Sequence, residues 1–230
     1  YPGSFMQRRF PRAWKWAGEN LSGTAFYSIP QRTNRPDQAR RISSLKELRK
    51  IILINSIRPY VEIELDTPTH FYGKNGSGKT DYLQLISSFY TGRLKSPHVS
   101  GKGSSYYLPH SNSWIIFEVV GAKGLFSLAF HREEAIPKAY FLNGDYEKEN
   151  FFKKGKAIPW KEVKANHKKQ KLHQAGPFDL EESYWQILNG SYAGKDKSDL
   201  RRYAITTSSH AHFLPRLYRS FWLKGEIRFD

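Results

Sequence analysis

Alternation of apolar and polar residues predicts that β-strands begin near residue 45. Residues 50–55 enclose four consecutive apolar side chains, which is typical of a buried strand. Residues 60–65 alternate apolar with acidic side chains, as in a half-exposed strand. Together the two runs predict a β-hairpin, and a third short β-prone run follows at residues 69–72.

More strands are predicted in the middle of the chain. They are residues 113–120, 125–131, 139–142 and 149–152. Gly121 and Gly124 mark a turn between the first two strands, and Asn143-Gly144-Asp145 marks a turn after the third. This part of the chain is therefore expected to form a β-rich lobe.

Two segments have apolar residues at helical spacing. Apolar side chains recur on one helical face from Tyr82 to Phe89, which predicts a helix that ends at Gly92. Residues 180–188 predict a second helix, which is capped by Asp179 and ended by Asn189-Gly190.

The first 44 residues differ from the rest. They show no sustained period and are rich in Pro, Gly, Ser, Asn and Arg. We therefore predict two regions: a basic, poorly ordered or separately packed arm at residues 1–44, and a globular region at residues 45–230.

One motif indicates a ligand. It reads Gly73-Lys74-Asn75-Gly76-Ser77-Gly78-Lys79-Thr80, which is a complete G-x-x-x-x-G-K-[ST] phosphate-binding loop. A predicted strand precedes it and a predicted helix follows it, which is the context that this motif requires. The glycines leave the main chain free to wrap phosphates with its N–H groups.

The residues at the end of the motif have separate expected roles. Lys79 is placed to reach the β- and γ-phosphates, and the Thr80 hydroxyl is placed to hold Mg²⁺. The helix that starts there directs the positive end of its dipole at the anion. The candidate site therefore comprises residues 73–80 and the adjacent Asp81, with a nucleotide and Mg²⁺ as its ligands.

Charge points to a further anionic partner. The chain has 37 basic and 21 acidic residues, a formal charge of +16. The basic residues concentrate in residues 1–50 and in a lysine block, and we predict contact between these segments and a DNA backbone. The lysine block consists of Lys153, Lys154, Lys156, Lys161, Lys164, Lys168, Lys169 and Lys171.

Other features limit the location and the chemistry. The chain has no apolar run of membrane-spanning length, no signal-peptide core at its start and no cysteine, so disulfides and thiolate metal sites are excluded. A cytoplasmic protein is expected. The first residue is Tyr1 and not an initiator methionine, which fits a fragment or a processed product.

Several segments resemble one group of ATPases. They are the predicted hairpin with Leu53-Ile54-Asn55-Ser56, the loop Gly73 to Thr80, and the runs Tyr106 to Glu118, Tyr184 to Gly190 and Leu200 to Thr206. In this order they resemble the N-terminal half of the ATPase head of SMC-like proteins, including MukB, condensin-like and bacterial MksF/JetC-type ATPases. The resemblance spans roughly residues 47–223.

The resemblance implies a fold and a function. The fold would be an α/β P-loop NTPase, specifically the N-terminal lobe of an ABC-type head with a mixed, strand-rich sheet and a P-loop helix. The ligand would be ATP with Mg²⁺. The C-terminal half of the head would supply the signature motif and the Walker B carboxylates beyond a coiled coil. Two heads would dimerise to hydrolyse ATP and engage DNA in a nucleoid-associated process, either chromosome organisation or defence against plasmids.

This sequence departs from the family pattern. Glu133 and Glu134 are the nearest acidic pair after the loop, but His131-Arg132 separates them from the apolar strand, which indicates a strand end. The stretch that matches the family's glutamine segment contains His212 and no glutamine, and Arg93 is a candidate for phosphate or DNA contact. The isolated chain is therefore expected to bind ATP better than it hydrolyses it.

Two other functions fit the same motif. One is a self-contained P-loop kinase. Such a kinase would need an arginine-rich lid after the loop, whereas the residues there are predicted to form strands. The other is a nucleic-acid-binding module whose P-loop is vestigial.

Overall fold

The computed structural model describes most of the chain from residue 48 to residue 205 and two short strands before it. The described residues are 15–19, 25–28, 48–65, 69–71, 78–94, 103–121, 123–133, 136–169, 174–180 and 182–205. Most of the predicted arm and residues 73–77 of the phosphate loop lie outside them.

Eleven strands are described, and every pairing among them is antiparallel. They are β1 (Lys15–Glu19), β2 (Ala25–Ser28), β3 (Leu48–Ile54), β4 (Tyr60–Glu64), β5 (Thr69–Phe71), β6 (Trp114–Gly121), β7 (Gly124–Glu133), β8 (Ile136–Asn143), β9 (Phe152–Lys153), β10 (Lys156–Ala157) and β11 (Gln174–Asp179). The largest sheet has six strands in the order β11-β8-β7-β6-β3-β4.

The helices are mostly short. They are α1 (Lys79–Thr91), α2 (Ser104–Tyr107), α3 (Lys148–Phe151), α4 (Trp160–Lys169), α5 (Ser183–Leu188) and α6 (Lys197–Leu200), with a 3-10 turn at Arg201–Tyr203. Among the described helices, none has the length and apolar content that a bilayer span requires.

The six-stranded sheet is buried on both faces. Successive side chains of its central strands point in opposite directions, so each strand contributes to two apolar clusters. In β3, Ile51 packs into the cluster on one face and Ile52 into the cluster on the other. In β6, Phe117 and Ile116 divide in the same way. This explains the continuous apolar runs in the sequence.

One face is covered by α1 and α5. Leu85 and Phe89 of α1 and Tyr184 of α5 are fully buried in the cluster that contains Phe117. The rings of Phe89 and Phe117 lie 5.2 Å apart between centroids. Burial of this apolar stripe holds α1 against the sheet.

The other face is covered by α3, the β9–β10 hairpin and α4. Phe151 of α3, Ile158 after the hairpin and Val163 of α4 pack against Trp114 of β6. The rings of Trp160 and Trp114 lie 5.5 Å apart between centroids, which fixes the start of α4. The main sheet therefore has helices on both sides.

The predicted hairpins and the first helix are confirmed. β3 pairs with β4, and β6 pairs with β7 across the Gly121–Gly124 turn. Helix α1 ends at Gly92, which adopts the left-handed conformation at φ 68°. Glycine tolerates that conformation because it has no Cβ.

Two predicted boundaries are wrong. The sequence predicts a strand at residues 149–152, but Lys148–Phe151 is a helical turn and only Phe152 joins a strand. The sequence also predicts that Asp179 caps a helix at residues 180–188, but Asp179 ends β11, and α5 begins at Ser183. At Asp179 pairing with β8 overrides local preference, whereas Lys148–Phe151 is a local helical turn that buries Phe151.

Part of the segment 1–44 is in strands that its sequence does not predict. β1 pairs with β2, and β2 pairs with β5, the strand that leads into the phosphate loop. These strands form a separate three-stranded sheet in the order β1-β2-β5.

Candidate nucleotide-binding site

The candidate site lies where β5 leads into α1. β5 ends at Phe71 and α1 begins at Lys79, so the motif connects a strand to a helix. Gly73, Lys74, Asn75, Gly76 and Ser77 lie outside the described residues. Gly78, Lys79, Thr80 and Asp81 are described, and they form the start of the helix.

Gly78 is the N-cap of α1 and has a backbone that suits glycine. Its φ of 91° and ψ of 9° lie in the left-handed region, where a Cβ is strained. Its carbonyl accepts the first helical hydrogen bond from the Tyr82 N–H at 3.1 Å. No described side chain caps this end, and a helix start of this kind is suited to bind an anion.

Lys79 and Thr80 are the first two helical residues. Lys79 is half-buried and Thr80 is exposed, so the threonine hydroxyl is accessible to solvent. Both residues belong to the first turn, at the positive end of the helix dipole. This arrangement suits phosphate oxygens and a divalent cation.

Asp81 faces the protein. It is only 8% exposed, and its carboxylate accepts hydrogen bonds from the hydroxyl groups of Tyr106 at 3.3 Å and Tyr107 at 3.5 Å. Burial, together with the negative charge of Asp81, raises the pKa of Tyr107 above its ordinary value. The hydroxyl of Tyr107 therefore stays protonated and keeps donating to the carboxylate.

Arg58 is a site residue that the sequence does not reveal. Its Nη2 lies 3.9 Å from the position that a Cβ on Gly78 would occupy, and Oδ2 of Asp81 lies equally close to that position. The guanidinium group adds a second cation beside the start of α1. In the sequence Arg58 is only an arginine in a turn between two predicted strands. Its position beside the start of α1 is a tertiary contact, which the sequence pattern does not report.

The turn that carries Arg58 is fixed by backbone hydrogen bonds. The Asn55 N–H donates to the carbonyl of Pro59 at 2.8 Å, and the Ser56 N–H donates to the carbonyl of Arg58 at 3.0 Å. The Ser56 hydroxyl also donates to the carbonyl of Tyr107 in α2. The turn and α2 therefore hold one another beside the first turn of α1.

The remaining candidates lie elsewhere. Arg93 follows the C-terminal end of α1, about 20 Å along the helix from Lys79 at 1.5 Å per residue. That distance favours a role at the helix end over phosphate contact. Glu133 is the last residue of β7, which confirms the strand-end interpretation, and Glu134 and His212 lie outside the described residues.

The described part of the lysine block lies on one surface. Its lysines are exposed on the β9–β10 hairpin and on α4, and Lys171 lies outside the described residues. Of the basic residues in residues 1–50, Arg49 and Lys50 lie in β3 and Lys15 lies in β1, and the others are outside the described residues. Within the described residues the structure brings together the second basic segment, whereas most of the first lies outside them.

Comparison with known families identifies the group to which the protein is related. Residues 52–213, most of the chain, match a family described as "Protein of unknown function (DUF3584)". The chain belongs to this family. The DUF3584 region begins in β3 and contains the Arg58 turn, the whole phosphate-binding motif and α1. No curated protein matches the chain.

Proposed function

We propose that this DUF3584 protein binds ATP together with Mg²⁺ at residues 73–81, as the N-terminal part of an SMC-like ATPase head. The observation that carries the proposal is the start of α1: the residue before the motif lysine is a left-handed glycine, and Lys79 opens a helix with no described side-chain cap. A phosphate fits this end because its oxygens would accept hydrogen bonds from the N–H groups of the first turn.

The described side chains fit a magnesium nucleotide. Lys79 and Arg58 would both neutralise phosphate charge, since Lys79 opens the helix and the guanidinium group of Arg58 lies near Gly78. Thr80 would hold Mg²⁺ through its hydroxyl, and the ion would in turn neutralise charge on the β- and γ-phosphates. Hydrogen bonds from Tyr106 and Tyr107 to the Asp81 carboxylate would reduce its repulsion of the phosphates.

Hydrolysis is proposed to need more than this chain. Phosphoryl transfer to water requires a group that orients the water, and the sequence places no acidic pair directly after an apolar strand. In the proposed head, the C-terminal half and a second head supply these residues.

In the complete head, ATP binding and hydrolysis would drive dimerisation and DNA engagement, in chromosome organisation or anti-plasmid defence. The charge of +16 supports the DNA partner. It also favours the second candidate function, a nucleic-acid-binding module whose P-loop no longer binds nucleotide. The two functions differ in whether Lys79 contributes to nucleotide affinity.

The test is titration of the full 230-residue chain with a fluorescent ATP analogue in the presence of Mg²⁺. Lys79→Ala should weaken binding roughly 10- to 150-fold, which corresponds to about 1.5–3 kcal/mol for a charge-assisted hydrogen bond. Lys195→Ala, which removes an exposed lysine from the loop before α6, should leave the affinity unchanged.

Unchanged affinity in Lys79→Ala would overturn the nucleotide site. If the wild-type chain binds DNA but no nucleotide, the vestigial P-loop is the better function. The split-head proposal has its own test: adding the C-terminal half of the head should raise ATP turnover, and equal turnover without it would contradict the proposal.

A further inference from the structure

The hairpin β9–β10 and helix α4 carry a dense set of exposed positive charges, which we call the lysine face. It consists of Lys153, Lys154, Lys156, Lys161, Lys164, Lys168 and Lys169, all exposed. Glu162 is the only acidic residue within this stretch, and its carboxylate lies 4.0 Å from the ammonium group of Lys153. The net charge of the face is therefore strongly positive.

Helix α4 arranges its lysines in a stripe. Lys161, Lys164 and Lys168 follow the i, i+3, i+7 spacing that places side chains on one side of a helix. Val163 and His167 lie on a different side of the helix and are buried against the sheet. At 1.5 Å per residue, the stripe extends about 10 Å, which is enough to contact several phosphates of a duplex.

The hairpin extends this surface beyond the helix. Its turn is made by Lys154 and Gly155, which both have positive φ values, 49° and 75°. The hairpin is tied to the fold because Ile158, just after it, donates its N–H to the carbonyl of Phe151 at 2.8 Å and is buried. The lysines therefore project from an ordered scaffold.

The lysine face and helix α1 lie on opposite sides of the sheet. Val163 of α4 packs in the cluster with Ile116, whereas Leu85 of α1 packs in the cluster with Phe117. Because Ile116 and Phe117 are successive residues of one strand, they point to opposite faces. The sheet itself separates α4 from α1.

We propose that the lysine face binds the phosphate backbone of double-stranded nucleic acid, without sequence preference, while the opposite side of the sheet remains open to a nucleotide. Lysine ammonium groups are point charges suited to backbone phosphates and carry no base-reading geometry. The proposal deepens the DNA contact of the proposed function by assigning it a surface, and it does not depend on whether the P-loop binds ATP.

A duplex fits this face better than a membrane surface does. A helix that binds a bilayer inserts apolar side chains next to its basic ones. The apolar side of α4 is instead buried in the protein, and the exposed large apolar residues of the described chain, Leu83, Tyr106, Leu125 and Ile136, all lie outside the lysine face.

The experiment measures binding of the full chain to a short fluorescent DNA duplex at several salt concentrations. The test variant is Lys161→Gln, Lys164→Gln and Lys168→Gln combined. We expect this variant to bind DNA at least about tenfold more weakly than wild type. The slope of log affinity against log salt concentration should also fall by about 3, because each of the removed lysines would neutralise one phosphate. The matched control carries Lys123→Gln, Lys195→Gln and Lys197→Gln, which remove the same charge from exposed positions outside the face.

The control variant and a Lys-to-Arg version of the test variant should both bind DNA as the wild type does. Circular dichroism confirms that each variant is folded, and saturating ATP should not displace the duplex. The proposal is overturned if the test variant binds like wild type, if the control loses as much affinity, if ATP competes with the duplex, or if the chain binds phosphatidylserine vesicles but not DNA. Failure of the Lys79→Ala test affects none of these outcomes.

Discussion

The hydroxyl group of Tyr106 lies 3.3 Å from Oδ2 of Asp81 and donates a hydrogen bond to it. Asp81 is in the first turn of α1, directly after the motif threonine, and Tyr106 is in α2, 25 positions later. Tyr107 donates to the other carboxylate oxygen. Helix α2 therefore braces the end of α1 at which a phosphate would bind.

This brace predicts unequal effects of two conservative substitutions. Tyr107 is fully buried, so Tyr107→Phe removes a hydrogen bond to a carboxylate in the protein interior and should lower the free energy of unfolding by about 1–3 kcal/mol. Tyr106 is 37% exposed, so water can replace its hydroxyl, and Tyr106→Phe should cost less than about 1 kcal/mol. Urea unfolding measures both, and equal losses would contradict the difference in burial.

Gly78 is predicted to matter more for nucleotide binding than for stability. Gly78→Ala should lower the free energy of unfolding by about 1–2 kcal/mol, the cost of a Cβ in the left-handed region, because the nearest atom to the new Cβ would be Cε2 of Tyr82 at 3.7 Å. The Cβ would also lie beside Arg58, so affinity for the fluorescent ATP analogue should fall at least about tenfold, the effect of losing about 1.4 kcal/mol.

Gly144 provides the matched control for Gly78. It also has a φ of 91°, and a Cβ there would meet nothing within 4 Å. Gly144→Ala should therefore cost a similar amount of stability and leave nucleotide affinity unchanged. If both substitutions reduce nucleotide affinity equally, the effect of Gly78 is one of stability and not of the site.

A clash is predicted at the other end of α1. A Cβ on Gly92 would lie 2.0 Å from the carbonyl oxygen of Leu180, and φ there is 68°. Gly92→Ala should lower the free energy of unfolding by more than about 3 kcal/mol, because it combines backbone strain with overpacking.

Gly155→Ala is the control for Gly92. Its φ is 75°, but a Cβ would meet nothing within 4 Å, so the loss in urea unfolding should be only about 1–2 kcal/mol. If the two alanine variants lose the same stability, a clash between the new Cβ at position 92 and Leu180 does not contribute to the loss.

The sequence predicts features that depend on neighbouring residues better than features that depend on distant contacts. The helix start at Lys79 and its end at Gly92 follow from local residues, and both are found in the structure. Arg58 and Tyr107 join the site through tertiary contacts between segments 20 or more positions apart, which no local pattern reports. The nucleotide itself, the DNA partner and the P-loop fold remain predictions.

Two elements escape prediction for different physical reasons. Helix α4 is almost entirely polar and buries only Val163 and His167, so its apolar period is too weak to recognise, and its lysines indicate charge alone. Strand β11 is an edge strand interrupted by Gly176-Pro177, which are turn signals in a sequence. In both cases packing against the sheet supplies the stability that the local pattern lacks.

Buried tyrosines predict a loss of stability in alkaline solution. Burial raises the pKa of Tyr203 from 10.0 to about 12, and burial also raises the pKa of Tyr184. Since the folded protein holds these protons more tightly than the unfolded chain, their contribution is complete below pH 10.0 and declines as the pH rises towards the folded pKa of Tyr203, about 12. For Tyr203 the expected decline is about 1.4 kcal/mol per pH unit in that window.

Urea unfolding at about pH 8 and about pH 11 measures this effect. Tyr203→Phe keeps the ring that packs against Phe126 and Phe141 but removes the titrating hydroxyl, so the variant should lose less stability between the two conditions than the wild type. The comparison isolates Tyr203 because the lysines, which also titrate in this range, are the same in both proteins. Identical losses in the two proteins would show that the hydroxyl of Tyr203 is not held in its protonated form by the fold.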